Sequence, residues 1–484
     1  GTGRWLFHLI LYTGGNDLSA PVIWIVIPFF TGLIAWLLRR NYGLSYGLVI
    51  GVSILLSVLA GVLPVGQIFR LGMVELEIGE SLFFLGRSFN LTNNERPFLM
   101  LVFTACSIWF VGGLILKQHR FFASFGLMAV SALVAALAVQ PFLYAALLVQ
   151  IAVLLSIPLL VPPGELMTVG VQRYLIFQTL GMPFILVAGW VFGSGEIGQI
   201  DPTVLPRAAV ILGLGFALWL AVFPFYFWLP QLTNQTHPYS AGFVLSLLPV
   251  SILMLGLDFI RQVGWLRAST NMFLATQIGG ILMVVTAGIW AAFQDDIRRL
   301  FGYAIILETG YALMAIGENA LSGYMMFAAS LLPRLLGLFM LSLSLAVYFN
   351  RKQLTDFDHL QGVFQRFPVT TIGLVLALFS IAGVPLLAGF PVRLEMLEQL
   401  AARQPLFIGW VLVGNLGFII GVLRVLIHVV QLTDAPVEKM ESRLERVVLS
   451  AGMIFLFLFG IMPGGFYQGV IFVLRAAPAL LQAP

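Results

Sequence analysis

The sequence predicts an all-α, polytopic transmembrane helix bundle. Three observations carry this. Of 484 residues, 60% are hydrophobic and only 10% are charged. The apolar residues fall into about fourteen runs of membrane-spanning length. Those runs are continuous: Val49 to Leu63 holds only Ser53 and Ser57 among apolar residues and glycines. A backbone inside hydrocarbon must satisfy its own hydrogen bonds, so it forms helices or a closed barrel. Barrel strands alternate apolar and polar side chains, and these runs do not.

Composition narrows the function. The formal net charge of +4 comes largely from Lys and Arg in the loops, as expected of bases held on the cytoplasmic side, and implies no nucleic-acid partner. Cys106 is the single cysteine and lies in an apolar run, which excludes an intrachain disulfide and a cysteine-based metal cluster. The chain begins Gly-Thr-Gly. Its first apolar run precedes many others, so it reads as a span rather than a cleaved signal peptide.

In chain order the expected spans are 22–38, 45–65, 97–116, 121–139, 141–162, 173–193, 208–229, 240–260, 272–293, 301–317, 323–349, 368–402, 406–430 and 447–465. Residues 4–12 and Val470 to Leu481 read as short interfacial segments. Pro224, Pro230 and Pro249 lie in or beside spans seven and eight. Proline removes a donor and crowds the preceding turn. An isolated proline reads as a kink, but Ala382-Gly383-Val384-Pro385-Leu386-Leu387-Ala388-Gly389-Phe390-Pro391 reads as a real break in span twelve.

Loops after odd-numbered spans hold most of the bases, among them Arg39, Arg40, Lys117, Arg298, Arg299, Arg351 and Lys439. Loops after even-numbered spans hold fewer, and 66–96 carries Glu75, Glu77, Glu80 and Glu95. The positive-inside rule then puts both termini outside the cytoplasm. No soluble domain is expected. Loop 66–96, with Phe69, Leu71, Val74, Leu76, Leu82 and Phe83, reads as a hairpin cap on the bundle. Loop 351–367, with Asp356, Asp358, His359 and Arg366, reads as a solvated connector. His8, His119, His237 and His359 read as loop or interface residues whose spacing makes no metal site. Arg424 and His428, one turn apart, read as reaching for the cytoplasmic interface. No Gly-rich phosphate loop, iron–sulfur cysteine set or paired-histidine haem site is present, so no cofactor is expected.

Three segments together are specific. They are Phe223 to Pro230 (F-P-F-Y-F-W-L-P), Gln294 to Tyr303 (Q-D-D-I-R-R-L-F-G-Y) followed by Gly310-Tyr311, and the Ala-Gly-Val-Pro…Ala-Gly-Phe stretch of span twelve. In that order they resemble the antiporter-like membrane subunits of respiratory complex I, a family shared with Mrp-type cation antiporters and membrane-bound hydrogenases. The resemblance covers about residues 20–465. It implies fourteen helices with two inverted five-helix repeats, each with a discontinuous helix. The corresponding divisions are N-terminal helices with the outer hairpin-like loop at 1–120, a first repeat at 121–260 with span seven broken near Pro224, a second at 272–430 with span twelve broken near Pro385 to Pro391, and a C-terminal helix and tail at 431–484. It also implies a midplane chain of titratable groups. Such groups cost about 2.5–3.5 kcal/mol each to insert and must change protonation near neutral pH.

Carried over by position, the resemblance implies a first repeat without that set. The span-five glutamate falls on Gln150, or on Val153 counting back from Pro158. The span-seven lysine is Trp219 and the motif histidine is Tyr226. The span-eight lysine maps to Ser251, with Val250 or Ile252 in a shifted register. The second half keeps charge: Arg393 at the span-twelve lysine-or-glutamate position, Glu308 in span ten and Arg334 in span eleven. Arg173 replaces a lysine at the start of span six. Arginine stays protonated, so it holds an anion better than it relays a proton. Three readings of Glu308 stay open: a structural ion pair with Arg334 or Arg393, part of a residual ion path, or a lipid-facing group.

The resemblance implies a non-catalytic subunit of an NADH:quinone oxidoreductase-like complex in a bacterial inner membrane. Its partners would be other membrane subunits and lipid, with redox subunits reached only indirectly. Two roles stay open: a scaffold with reduced or absent translocation, and an active subunit using Glu308 and Arg393 as an altered half-channel. A stand-alone cation antiporter is weaker, because buried acids are scarce.

Overall fold

The structure is a computed structural model that describes residues 19–66, 68–71, 74–193, 204–432 and 440–464, without the side chains of 68–77, 193 and 261. The expected interfacial segments 4–12 and 470–481, with His8 and Lys439, lie outside the described residues.

Helix occupies every expected span. In order these are α1 (Val22–Leu37), α2 (Tyr42–Val62), α3 (Arg96–Ile115), α4 (Phe122–Ala138) and α5 (Ala145–Leu160). Next come α6 (Val169–Gly193), α7a (Val204–Trp219), α7b (Trp228–Gln235), α8 (Pro238–Gln262) and α9 (Thr270–Ala292). The last are α10 (Ile297–Gly317), α11 (Leu321–Asn350), α12a (Pro368–Ala382), α12b (Phe390–Arg403), α13 (Pro405–Val430) and α14 (Arg443–Ile461). Ten helices among the described residues are long and apolar enough to cross a membrane; α1, α4, α7a and α12a are shorter apolar helices. Pro249 stays inside a continuous α8, whereas α7 and α12 are broken.

The helices close into two rings. Each of α4 to α8 packs on its sequence neighbour, and α8 returns to α4. The same holds for α9 to α13, where α13 returns to α9. Both rings break their fourth helix. With five helices each, the second starts from the opposite face, which inverts it. Cross-ring packing runs through α8 on α11 and α7b on α10. Helix α10 is the most enclosed, with 94% of its apolar window buried, against 22% for peripheral α14. Glu308 on α10 therefore sits deep in the molecule.

Small residues close the second ring. A Cβ on Gly414 would come within 2.5 Å of the Val284 carbonyl oxygen, and one on Gly417 within 2.6 Å of that of Gly288. Such seams replace hydrophobic driving force with backbone-to-backbone packing in lipid.

The loop after α2 forms two hairpins. Strand β1 (Ile68–Leu71) pairs with β2 (Val74–Glu77), and β3 (Ser81–Phe84) pairs with β4 (Arg87–Asn90). The tight turn of the second, Leu85-Gly86, has φ of 48° and 72°, the twist a two-residue hairpin requires. After α4, β5 (Val139–Gln140) adds to β4. The cap is thus hairpins plus a strand from the first ring. This hairpin face also carries the α8–α9, α10–α11 and α12–α13 connections.

On the opposite, basic face the 351–367 segment is tied down rather than free. Asp356 bridges to Asp296, the Ile297 N–H donates to the Thr355 carbonyl (3.2 Å), and Phe357 N–H donates to that of Asp295 (2.9 Å). Arg424 reaches the Ala292 carbonyl at 2.7 Å and Asp295 Oδ1 at 2.6 Å, capping the end of α9. The His428 ring lies 4.8 Å from that of Phe357.

His237 caps α8 on this face. Its Nδ1 accepts the Tyr239 N–H at 3.2 Å and its Nε2–H donates to Asn350 Oδ1 at 3.1 Å, joining the start of α8 to the end of α11. Only the neutral ring can accept at Nδ1. Burial, opposed by the Asn350 bond, pushes its pKa down to about 4 from 6.5. The native state therefore binds fewer protons than the unfolded chain between those values, and stability falls as pH drops through that window. A thermal unfolding series from pH 7 to pH 4 is expected to show this loss. His237→Asn, which keeps a capping oxygen, is expected to flatten it.

Candidate functional site

The second ring builds a charged centre where its broken helix α12 meets the continuous α10. Helix α12a ends at Gly383, whose φ of 74° is left-handed, a conformation that favours glycine. A Cβ there would also lie 2.4 Å from Arg393 Cδ. The break therefore needs glycine twice over, for its backbone and for the arginine stem. Helix α12b restarts at Phe390, and the Gly389 N–H donates to Ser380 Oγ at 3.2 Å. Arg393, in its first turn, then points at α10.

Arg393 Nη2 donates to Glu308 Oε1 at 2.5 Å. The two side chains are 6% and 11% exposed, so this is a buried pair. The guanidinium also lies 4.0 Å over the Tyr311 ring, a favourable cation–π position. Arg334, 1% exposed, does not join the pair: its Nη2 donates to Thr309 Oγ1 at 3.0 Å. Arg393 Nη1, Arg334 Nε and Nη1, and Tyr311 Oη have no protein partner. A cavity of about 20 Å³ lies among Glu308, Tyr311, Ser330, Ser380 and Arg393, enough for about one water.

The centre leads toward the hairpin face. The step from Glu308 to Glu318 and the step from Arg393 to Arg403 are both ten residues, and Arg403 Nη1 meets Glu318 Oε1 at 2.7 Å. Parallel α10 and α12b thus carry two like ion pairs about 15 Å apart. Met396 lines both the buried cavity and a larger one of about 200 Å³ bordered by Gln277, Glu318, Gln399 and Arg403. The Gln399 amide, oriented as its surroundings require, donates to Glu318 Oε1 at 2.9 Å. Glu318, just beyond the end of α10, has its pKa raised by burial, with Arg403 opposing.

The first ring is arranged differently. Trp219 Nε1 donates to the Gln178 carbonyl at 2.9 Å, and Gln178 Nε2 returns a bond to the Trp219 carbonyl at 3.0 Å. The indole packs where Gly181 leaves room, 2.3 Å from the place a Cβ would occupy. This clamp fixes the end of α7a to α6. Gln150 Nε2 donates to Thr179 Oγ1 at 2.9 Å. Val153 is 1% exposed, and its carbonyl accepts from Ser156 Oγ, which also meets Tyr174 Oη at 2.9 Å. Ser251 is buried, as are its register alternatives Val250 and Ile252. Tyr226 sits in the α7 break, its ring 6.2 Å from that of Phe223. Arg173 is exposed and donates to Gln231 Oε1 at 2.6 Å, so it anchors α6 to α7b rather than joining the charged centre.

Sequence reasoning thus located Glu308 and Arg393 but missed Glu318 and Arg403. The equal ten-residue spacing was the available signal. It also missed Asp296, whose Oδ1 accepts the Arg298 N–H at 2.7 Å and caps α10. Among the described residues no group of three or more metal-ligating side chains occurs.

Comparison with known proteins agrees with this architecture. Residues 203–419 match the profile of a family described as NADH:quinone oxidoreductase/Mrp antiporter, TM. The chain is 26% identical over 239 residues to NADH-quinone oxidoreductase subunit N of Psychrobacter arcticus, covering 46% of this chain. It spans about half the length of the curated relatives it matches, 48% in that case. By fold it is similar to a chain of an archaeal membrane-bound sulfane sulfur reductase (TM-score 0.77, 15% identity, 96% of this chain and 98% of that one). It is also similar to a chain of respiratory complex I from Thermus thermophilus (TM-score 0.68, 18% identity, 96% and 100%).

Removing one member of a buried pair leaves an uncompensated charge, which costs about 3–5 kcal/mol. Arg393→Leu is therefore expected to destabilise the purified protein by that order in a thermal unfolding assay. Adding Glu308→Leu is expected to recover most of the loss.

Proposed function

We propose that the chain is an antiporter-like membrane subunit of the complex I family, as its match over residues 203–419 and its subunit N-like relatives support, and that it serves as a membrane-arm subunit of a complex I-like assembly with no proton path through its first ring. The reciprocal Trp219–Gln178 clamp carries this reading. A non-titrating indole, bonded through Nε1 and held by a second bond at its own backbone carbonyl, stands where the family resemblance implies a lysine. Gln150 and Ser251 at the other implied positions support it, since neither changes charge near neutral pH. In this role the first ring seals the membrane and braces its neighbours, which are other membrane subunits. The assembly is the redox enzyme, and this chain contributes no redox group. The proposed setting is a bacterial inner membrane with both termini outside the cytoplasm.

The second ring favours a second reading. The Glu308–Arg393 pair, the Met396 contact and the Glu318–Arg403 pair align in one file from the buried centre to the hairpin face. A proton held at Glu308 could pass along that file when the pair opens, while Arg393 stays charged throughout. That is an altered half-channel in the second ring alone.

Proton-to-electron stoichiometry of the reconstituted assembly tests both. Trp219→Phe with Gln150→Leu is expected to leave it unchanged, and a drop would sink the sealed-ring reading. Glu308→Gln is the complementary variant. Lost translocation with normal assembly and electron transfer would establish the half-channel, and unchanged translocation would eliminate it.

A further inference from the structure

A second large cavity belongs to neither reading above. It holds about 610 Å³ between the rings, walled by the second half of α8, the first half of α9, α7a and the end of α10. Its walls are apolar, with Phe216, Leu220, Leu253, Leu257, Met272 and Leu313 among them. It opens sideways: Val210, which lines it, is 72% exposed. An apolar opening at the level of the spans faces lipid tails.

It reaches from the membrane boundary to about the bilayer midplane. Along α8 it runs from Ile260 to Ile252, along α9 from Asn271 to Gly279, and along α7a from Pro206 to Leu220 just past its end. The first two are rises of about 12 Å and the third about 21 Å, against about 15 Å for half the hydrocarbon core. The polar end is at the membrane boundary, where Trp265, Ser269 and Asn271 line the α8–α9 connection. Two exposed arginines flank that end: Arg267, between lining residues Trp265 and Ser269, and Arg207, next to lining residue Pro206. Guanidinium groups at such a mouth suit a phosphate. The inner end stops at Leu220 and Val222, beside the α7 break.

We propose that this cavity binds one anionic phospholipid from the leaflet on the hairpin face. One acyl chain fills the space between the rings and the phosphate rests against Arg207 and Arg267. The site takes an aliphatic chain because its walls offer an acyl tail only dispersion and water exclusion. The bound chain would brace the α7 break from the side opposite the Trp219–Gln178 clamp.

Gly213 supplies the test. It lines the cavity, and a Cβ there would meet nothing within 4 Å. Gly213→Phe therefore directs a ring into the space with no clash at its Cβ, and leaving glycine favours the helix. Gly47 on α2 also has open space at its Cβ, so Gly47→Phe is the control. The native assembly in mild detergent would be titrated with phosphatidylglycerol and followed by native mass spectrometry. Wild type and Gly47→Phe are expected to retain one phosphatidylglycerol. Gly213→Phe is expected to weaken it by about tenfold or more. Arg207→Gln with Arg267→Gln is expected to abolish the preference over phosphatidylcholine while leaving the tail site open. Unchanged retention in Gly213→Phe, or displacement of a quinone or detergent instead, would overturn the proposal. So would an unchanged lipid preference in the double arginine variant, which holds even if Gly213→Phe fails to assemble.

Discussion

A polar group inside this molecule has no water-filled surroundings to fall back on, and that constraint governs the structure. Backbone donors are satisfied within helices. Where a helix is interrupted, side chains or capping geometry must take over. At the α12 break Ser380 Oγ accepts the Gly389 N–H, and the left-handed Gly383 ends the first half. At the end of α7a the Trp219 carbonyl is taken by Gln178. The two breaks occupy corresponding places in the rings and are stabilised by unlike chemistry.

That difference separates the halves. The first ring meets its needs with neutral groups: indole, carboxamide and hydroxyl. The second retains two buried guanidiniums, Arg334 and Arg393, with the largely enclosed Glu308 carboxylate paired to one of them. A buried ion pair is weak evidence for stability, because desolvation offsets much of its attraction. Its retention in α10, the most enclosed helix, is better explained by the arrangement it imposes. Arg393 fixes the start of α12b against α10, and Arg403 fixes its end.

Much of the fold was legible because hydrocarbon imposes a simple pattern: long apolar runs separated by polar loops. The α12 break was legible too, since glycine and proline act locally. The charged centre was half legible. Glu308 and Arg393 stood out as rare charges in apolar runs, but which of Arg334 and Arg393 would meet Glu308 depends on helix rotation and packing. Helix α11 turns Arg334 toward Thr309 instead. Glu318 and Arg403 fall at helix ends, where charge is ordinary, so nothing in their local sequence marked them. Loop 351–367 was legible in its exposed side chains, Asp356, Asp358 and His359. Its backbone pairing with the start of α10 was not, because it is a long-range contact that composition does not encode.

The ring closures have a mechanical consequence. Each ring behaves as a hoop of five staves with no free edge. In the second, the α9–α13 joint is nearly backbone on backbone and leaves little slack. A hoop so closed resists a pull on any one stave, because its neighbours share the load around the circumference. Its girth can change only where a stave is cut, and each ring has one such cut. A force from an adjoining protein would thus be concentrated at the α7 or α12 interruption, wherever on the hoop it was applied.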